Sequence, residues 1–318
     1  MRNLSILLFC ALLGACSLPQ SKVYQWRGEK RKGVFHENDL LEKWPESGPQ
    51  ELWYTEGIGN GFGSPTITES EIFVTGEIDS MAWLFCMDLE GKIIWKTNFG
   101  REWSSHYPGS RSAPTVAGDL IYVGSGMGNL FCISRKKGDV IWSKDFIQDF
   151  QGVHPRFGIS EAALVSGDKV FWTPGGKEHN VVALNRFNGE LIWSCKGKGE
   201  RPGYNPGNLI ELPDRKIFVT FSAYHLLGID AETGELLWTH LQENTPAEKR
   251  KPGTGDTHGN NIIFENGYIY YAAVDGNGGV KLQLSADGSE IEAVWQNSSF
   301  DSYMGGFVKV GEYLYGCG

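Results

Sequence analysis

Four segments of the chain share one pattern: a glycine, three residues, then a tryptophan. They run from Gly91 to Trp95, Gly138 to Trp142, Gly189 to Trp193 and Gly234 to Trp238, and a looser fifth copy runs from Gly288 to Trp295. Successive tryptophans lie 47, 51, 45 and 57 residues apart. A period of that size suits one blade of a β-propeller. Such a unit cannot bury its faces alone and must stack on its neighbours.

Each period divides in the same way. In the second, residues 112–117, 120–125, 130–134 and 140–146 read as four short strands, A to D, rich in β-branched and aromatic residues and bounded by Gly, Asp and Asn. Gly234, after Ala231-Glu232-Thr233, supplies the positive φ that a tight C-to-D hairpin needs. Runs such as Ile121-Tyr122-Val123 do not alternate, as expected of strands sandwiched on both faces. The 42 glycines and the 13% aromatic content fit an all-β repeat better than a helical one. The recurring tryptophan reads as cover for the outer edge of the interface between blades, where a ring of that size buries ~150–250 Å². Cys86, Cys132, Ala183 and Gly228 fill one equivalent place late in strand C. That place reads as a small-residue packing slot rather than a disulfide or ligand position.

The first residues have a different character. Arg2 precedes a nearly unbroken apolar stretch over residues 4–13, too short to span a bilayer and suited to a signal peptide. The stretch ends in Leu13-Gly14-Ala15-Cys16, which resembles the bacterial lipobox. The resemblance implies cleavage before Cys16 and acylation of that cysteine, the alternative being an ordinary signal peptide with an incidental cysteine. Several acyl chains on one residue give stable attachment. With Ser17 next and no acidic run after it, the expectation is export, a lipid anchor in the outer membrane and a body facing the periplasm. Residues 1–15 are then the signal peptide, 16–24 a tether, 25–50 an N-terminal extension and 51–318 the propeller. The net charge of −9 argues against a nucleic-acid partner, which needs clustered Lys and Arg. The short basic cluster at residues 30–32 reads as a solvated loop.

The stretch Ile229-Asp230-Ala231-Glu232-Thr233-Gly234-Glu235-Leu236-Leu237-Trp238 resembles the repeat of quinoprotein dehydrogenases and their non-enzymatic relatives. Gln25-Trp26-Arg27-Gly28 with Gly33-Val34 is similar to the opening of secreted pyrroloquinoline-quinone-like (PQQ-like) propeller repeat proteins. So are Gly61-Phe62-Gly63-Ser64-Pro65 and Pro174-Gly175-Gly176-Lys177. The resemblance runs from about residue 25 to 318 and implies a β-propeller, commonly of eight blades. The chain offers five complete blades and a partial sixth over residues 305–310 and 313–318, with residues 51–56 as a lone strand D. It therefore reads as a fragment of an eight-bladed ring, with an incomplete six-bladed ring as the alternative.

The same fold serves quinone-dependent alcohol dehydrogenases and a lipoprotein that assists outer-membrane barrel assembly, so the fold alone does not name an activity. The dehydrogenases usually carry adjacent cysteines that stack on the quinone, and no two of the six cysteines here are adjacent. The expectation is a non-catalytic binding or assembly scaffold of the envelope, with no catalytic residue and no cofactor. Its partner would be an envelope protein or a small molecule. Two alternatives stand beside it: an alcohol dehydrogenase using PQQ with calcium, and a binder of a small anionic ligand or glycan in the central channel.

Strand order puts the D-to-A and B-to-C loops on one face, and strand A innermost. Arg111, Arg156, His258 and Tyr303, each just before a strand A, are expected to rim the channel, with His106, His154 and Lys177 nearby. Convergent polar groups around a concavity are a default binding site, although a merely solvated rim would look the same in sequence. Arg111 and Arg156 favour a carboxylate or other anion. A metal held by His106, His154 and His258 is weighed and set aside, because separate blades do not guarantee ligand geometry.

Overall fold

The computed structural model describes residues 22–242, 258–273, 278–300, 302 and 304–317. Cys16 and Tyr303 lie outside the described residues. After β1 (Val23–Tyr24), five four-stranded antiparallel sheets follow one another, each ordered A-B-C-D. Blade one holds β2 (Thr66–Ile67), β3 (Ile72–Ile78), β4 (Met81–Met87) and β5 (Ile93–Arg101). Blade two holds β6 (Thr115–Ala117), β7 (Leu120–Gly124), β8 (Asn129–Ser134) and β9 (Val140–Asp145). Blade three holds β10 (Leu164–Ser166), β11 (Lys169–Trp172), β12 (Val181–Asn185) and β13 (Leu191–Cys195). Blade four holds β14 (Asn208–Glu211), β15 (Lys216–Phe221), β16 (His225–Asp230) and β17 (Leu236–Leu241). Blade five holds β18 (Ile263–Glu265), β19 (Tyr268–Ala273), β20 (Gly278–Leu284) and β21 (Ile291–Asn297). A two-stranded sheet, β22 (Phe307–Val310) and β23 (Tyr313–Gly316), follows. The fold is the expected all-β propeller.

The repeat has a physical cause visible in the register. In four blades the small residue of strand C lies directly across from the strand D tryptophan: Cys86 from Trp95, Cys132 from Trp142, Ala183 from Trp193 and Gly228 from Trp238. A register shift follows each of these pairs. The slot is small because an indole covers it. At Gly228 an added Cβ would stand 2.1 Å from the Trp238 ring. Cys86, Cys132 and Cys195 are free and buried.

Each indole then reaches the next blade. The Nε1–H donates to a carbonyl in the following C-to-D turn: Trp95 to Arg135 (3.2 Å), Trp142 to Arg186 (3.0 Å), Trp193 to Ala231 (3.0 Å) and Trp238 to Gly288 (3.2 Å). In three of these turns the ring rests on the turn's glycine, at Gly138, Gly189 and Gly234, whereas Gly288 meets Ile217 and Leu212. A Cβ at Gly189, whose φ is +74°, would come within 2.9 Å of Trp142. In each Gly-x₃-Trp unit the glycine therefore seats the preceding tryptophan, and the tryptophan goes on to the following glycine.

Residues 51–56 differ from the strand D expected of them. They form no strand among the described residues. Their side chains nevertheless repeat the contact: a Cβ at Gly91 would meet the Trp53 ring, and Thr55 Oγ1 donates to Gly91 O at 2.6 Å. Thr97 makes the same 2.6 Å bond to Gly138 O.

Strand D of blade two also ends earlier than residue 146. Asp145 caps a short helix, α1 (Phe146–Phe150), its carboxylate accepting from the backbone N–H groups of Ile147 and Gln148. That satisfies two orphan donors and turns the chain out of the ladder. The tether assigned to residues 16–24 is shortened as well. Val23 pairs with Ala117 and Tyr24 with Val116, so β1 becomes a fifth strand on the inner edge of blade two.

Candidate functional site

The inner strands A leave an axial space, and residues following β1 enter it. Residues Glu29–Arg31 form a short 3-10 turn. Arg31 is only 1% exposed, which overturns the solvated-loop reading at that residue, while Lys30 beside it is exposed as expected. Its guanidinium donates to Ala162 O (3.1 Å) and Ala163 O (2.7 Å) of blade three, to Gly207 O (2.8 Å) beside blade four and to Gln25 Oε1 (2.9 Å). The rest of this arm touches the other blades. Lys22 pairs with Glu69 at 2.7 Å, Arg27 donates to Phe307 O and Lys32 pairs with Glu265 at 3.0 Å. Asn208 Nδ2 donates to Lys30 O at 3.3 Å.

Burial lowers the Arg31 pKa to about 10, with Glu161 acting in the opposite direction. Burial pushes the Glu161 carboxyl up to about 8, against the bonds it accepts from Thr173 and the nearby Arg31 charge. Those bonds come from Thr173 N at 2.9 Å and Thr173 Oγ1 at 3.1 Å.

A cavity of about 540 Å³ opens at the face of the D-to-A loops. Trp26 of the arm, Phe62, Tyr107, Phe157 and Tyr204 line it together with Arg111. Three arginines stack on its aromatics: Arg111 over Phe62 (5.6 Å), Arg156 over Phe157 (5.3 Å) and Arg201 over Tyr204 (5.8 Å). Such contacts fix the guanidinium planes. The mouth is thus rich in aromatic rings, with cationic groups around it and no carboxylate among its described lining residues.

Of the residues expected at the rim, three gather here. Arg111 lines the cavity and is half-buried, which lowers its pKa. It donates to Gly109 O (2.8 Å), His106 O (2.8 Å) and Tyr107 O. Arg156 is exposed, and the ring edge of His106 meets Phe157 at 6.2 Å. The others are placed differently. His154 Nε2 lies 2.8 Å from Met127 O, and its ring contacts Trp103 and Phe146, so it braces a loop. His258 is buried and stacked on Phe221 at 4.2 Å. Burial pushes its pKa down to about 3, so the ring stays neutral. Lys177 is exposed in the loop between β11 and β12. The three histidines thus have separate aromatic partners, and no group of three His, Cys, Asp or Glu among the described residues could hold a metal ion.

The buried carboxylates hold loops. Glu102 accepts from the N–H groups of Trp103 (2.7 Å) and Gly126 (2.5 Å) and from Ser110 Oγ (2.9 Å). Glu200 accepts from Ser222 Oγ (2.6 Å) and Tyr224 N (3.0 Å) and meets His225 Nδ1 at 2.8 Å. Burial raises the Glu200 pKa, but these bonds outweigh it and the net shift is downward.

Trp26, Arg31 and Glu161 escaped the sequence reading. Trp26 and Arg31 precede the first repeat, where no period places a side chain. The nearest signal is the pair Gly28 and Gly33, both at positive φ and flanking the turn that carries Arg31.

The sheet order and the axial space enclosed by strands A define a PQQ-like β-propeller. The chain belongs to the family described as outer membrane protein assembly factor BamB, which it matches over residues 80–317. It is 22% identical over 215 residues to outer membrane protein assembly factor BamB of Shewanella oneidensis, covering 66% of this chain and 49% of that protein. It therefore spans about half the length of that relative. It is 30% identical over 151 residues to a quinoprotein ethanol dehydrogenase of Pseudomonas aeruginosa, covering 46% of this chain and 20% of the enzyme. The crystal structure of BamB from Moraxella catarrhalis superposes with a TM-score of 0.51 at 15% identity, covering 77% of this chain and 63% of that one. That likeness is one of fold.

Proposed function

We propose that the chain is a non-catalytic scaffold of the bacterial envelope that holds a polypeptide partner during outer-membrane assembly. The observation that carries this reading is the match to the BamB family over residues 80–317. The geometry favours the same role. The aromatic mouth and a cavity of about 900 Å³ lined by the arm and by strands A of blades one, three and four both open to solvent, which suits docking better than a reaction that must exclude water. The proposed location is the periplasmic side of the outer membrane, held by acylated Cys16.

The residues present do not fit a bound quinone. The buried cysteines lie in three different blades, so no two of them can stack together on a quinone ring. No cofactor enters this reading. The test is a bacterial strain lacking the chain, complemented with the wild type or with Phe157→Ala plus Tyr204→Ala. Wild-type complementation should restore outer-membrane barrel proteins and the double variant should not, at equal chain abundance. Unchanged barrel proteins in the deletion strain would defeat the proposal, as would quinone-dependent alcohol oxidation by the purified chain.

A further inference from the structure

We propose that the inner edge of blade two, together with the carbonyl cage beside it, is a receptor for a short strand followed by an arginine-bearing turn. The chain's own residues 22–33 occupy it here, and a basic segment of a partner polypeptide with the same strand, turn and arginine can take their place. This inference is independent of the envelope reading, because it rests only on the arm and its seat.

The seat has two parts. The first is the free side of β6, where Val23 and Tyr24 add a two-residue strand. An unpaired strand edge accepts any extended backbone of suitable register, and side-chain pockets then select among sequences. The second part lies seven residues further along the arm. There the carbonyls of Ala162, Ala163 and Gly207 converge on one planar cation. Three acceptors fixed by two blades match a guanidinium, which spreads its donors in a plane, better than an ammonium, which is a compact point charge. Glu161, the titratable group facing Arg31 from blade three, is held in place by Thr173.

Three features make the arm an exchangeable occupant and not a permanent strand. Arg27, Lys30 and Arg31 hold φ values of +61°, +52° and +53°, a left-handed region that side-chain-bearing residues rarely adopt. The seat therefore imposes a conformation that the segment does not prefer. The arm's ladder is only two residues long. Its terminal ion pair, Lys22 with Glu69, is exposed, and exposed pairs hold weakly. Yet the cage cannot stay empty without cost, since buried carbonyls need donors. Departure of the arm thus favours entry of another segment carrying the same chemistry.

The probe is a fluorescein-labelled peptide of residues 22–33, titrated by anisotropy into the full chain carrying Val23→Pro, Tyr24→Pro and Arg31→Ala. It should bind this variant at least tenfold more tightly than it binds the wild type, whose own arm competes. A peptide carrying Arg31→Ala should bind at least tenfold more weakly than the unaltered one. Equal titration of the two peptides, or no binding to a folded variant, would overturn the proposal. Hydrogen exchange on the wild-type chain tests it without any substitution. Residues 22–33 should exchange through a local opening at denaturant concentrations where β7 remains protected. Exchange of both only on global unfolding would make the arm a permanent part of the core and end the proposal.

Discussion

The indole Nε1–H of Trp142 donates to the carbonyl of Arg186 in the next blade, 3.0 Å away. Trp142 is 9% exposed and Trp193 8%, whereas Trp295 is 37% exposed. Replacing Trp142 or Trp193 with alanine removes a large buried ring and leaves a carbonyl short of its donor. Each should cost about 3–5 kcal/mol in denaturant titration. Trp295→Ala should cost clearly less. Equal losses at all three positions would show that seating in the next blade contributes nothing beyond bulk.

The slot opposite each tryptophan makes a second prediction. Gly228→Ala places a Cβ 2.1 Å from the Trp238 ring. The ring or the strand must shift, so a loss of about 1–3 kcal/mol is expected, as for an overpacked core. Cys132→Ala makes the side chain in the slot smaller, not larger, and should retain the Trp142 bond to Arg186. Indole fluorescence alongside chemical denaturation separates a displaced ring from a simple loss of stability.

Two buried groups set the dependence of stability on pH, with opposite signs. The Glu161 pKa is raised to about 8 by burial, so the folded chain holds a proton that the unfolded chain has released. Its contribution is fully present below the ordinary carboxylate pKa near 4.5 and is lost as pH rises through 8. The His258 pKa is lowered to about 3 by burial. Its contribution is present above the ordinary histidine pKa near 6.5 and is lost as pH falls towards 3. Urea midpoints of Glu161→Gln should decline less than wild type between pH 5 and 8, and those of His258→Phe should decline less below pH 6.5. Parallel profiles for wild type and both variants would place the pH dependence elsewhere.

Membrane attachment depends on one residue in the proposed scheme. Cys16→Ser should move the chain from the membrane fraction to the soluble periplasmic fraction. Persistence of the variant in membranes would assign attachment to another part of the protein.

The blades were legible because the contact between them is periodic and uses two conspicuous residue types, glycine at positive φ and tryptophan. The loop face was legible for a related reason: strand order alone places Arg111 and Arg156 on one side. Arg31 was not, because its partners are the carbonyls of Ala162, Ala163 and Gly207, and every residue has a carbonyl. The turn at Asp145 was hidden by Phe146, whose apolar side chain continues the strand pattern while the Asp145 carboxylate caps a helix. His154 and His258 looked like ligands by residue type and are fixed by aromatic neighbours brought together only by folding.

The seat and the indole of each Gly-x₃-Trp unit belong to one hairpin, four positions apart, but they serve opposite neighbours. The interface is therefore heterologous, with a donor side and an acceptor side, as in a head-to-tail polymer. A cut between any two blades parts one complementary pair and leaves the others intact. Whole blades can be gained or lost without rewriting the hairpins that remain, whereas the mirror-image docking of two donor sides has no seat to fill. Direction of growth around the axis is thus encoded in every hairpin separately.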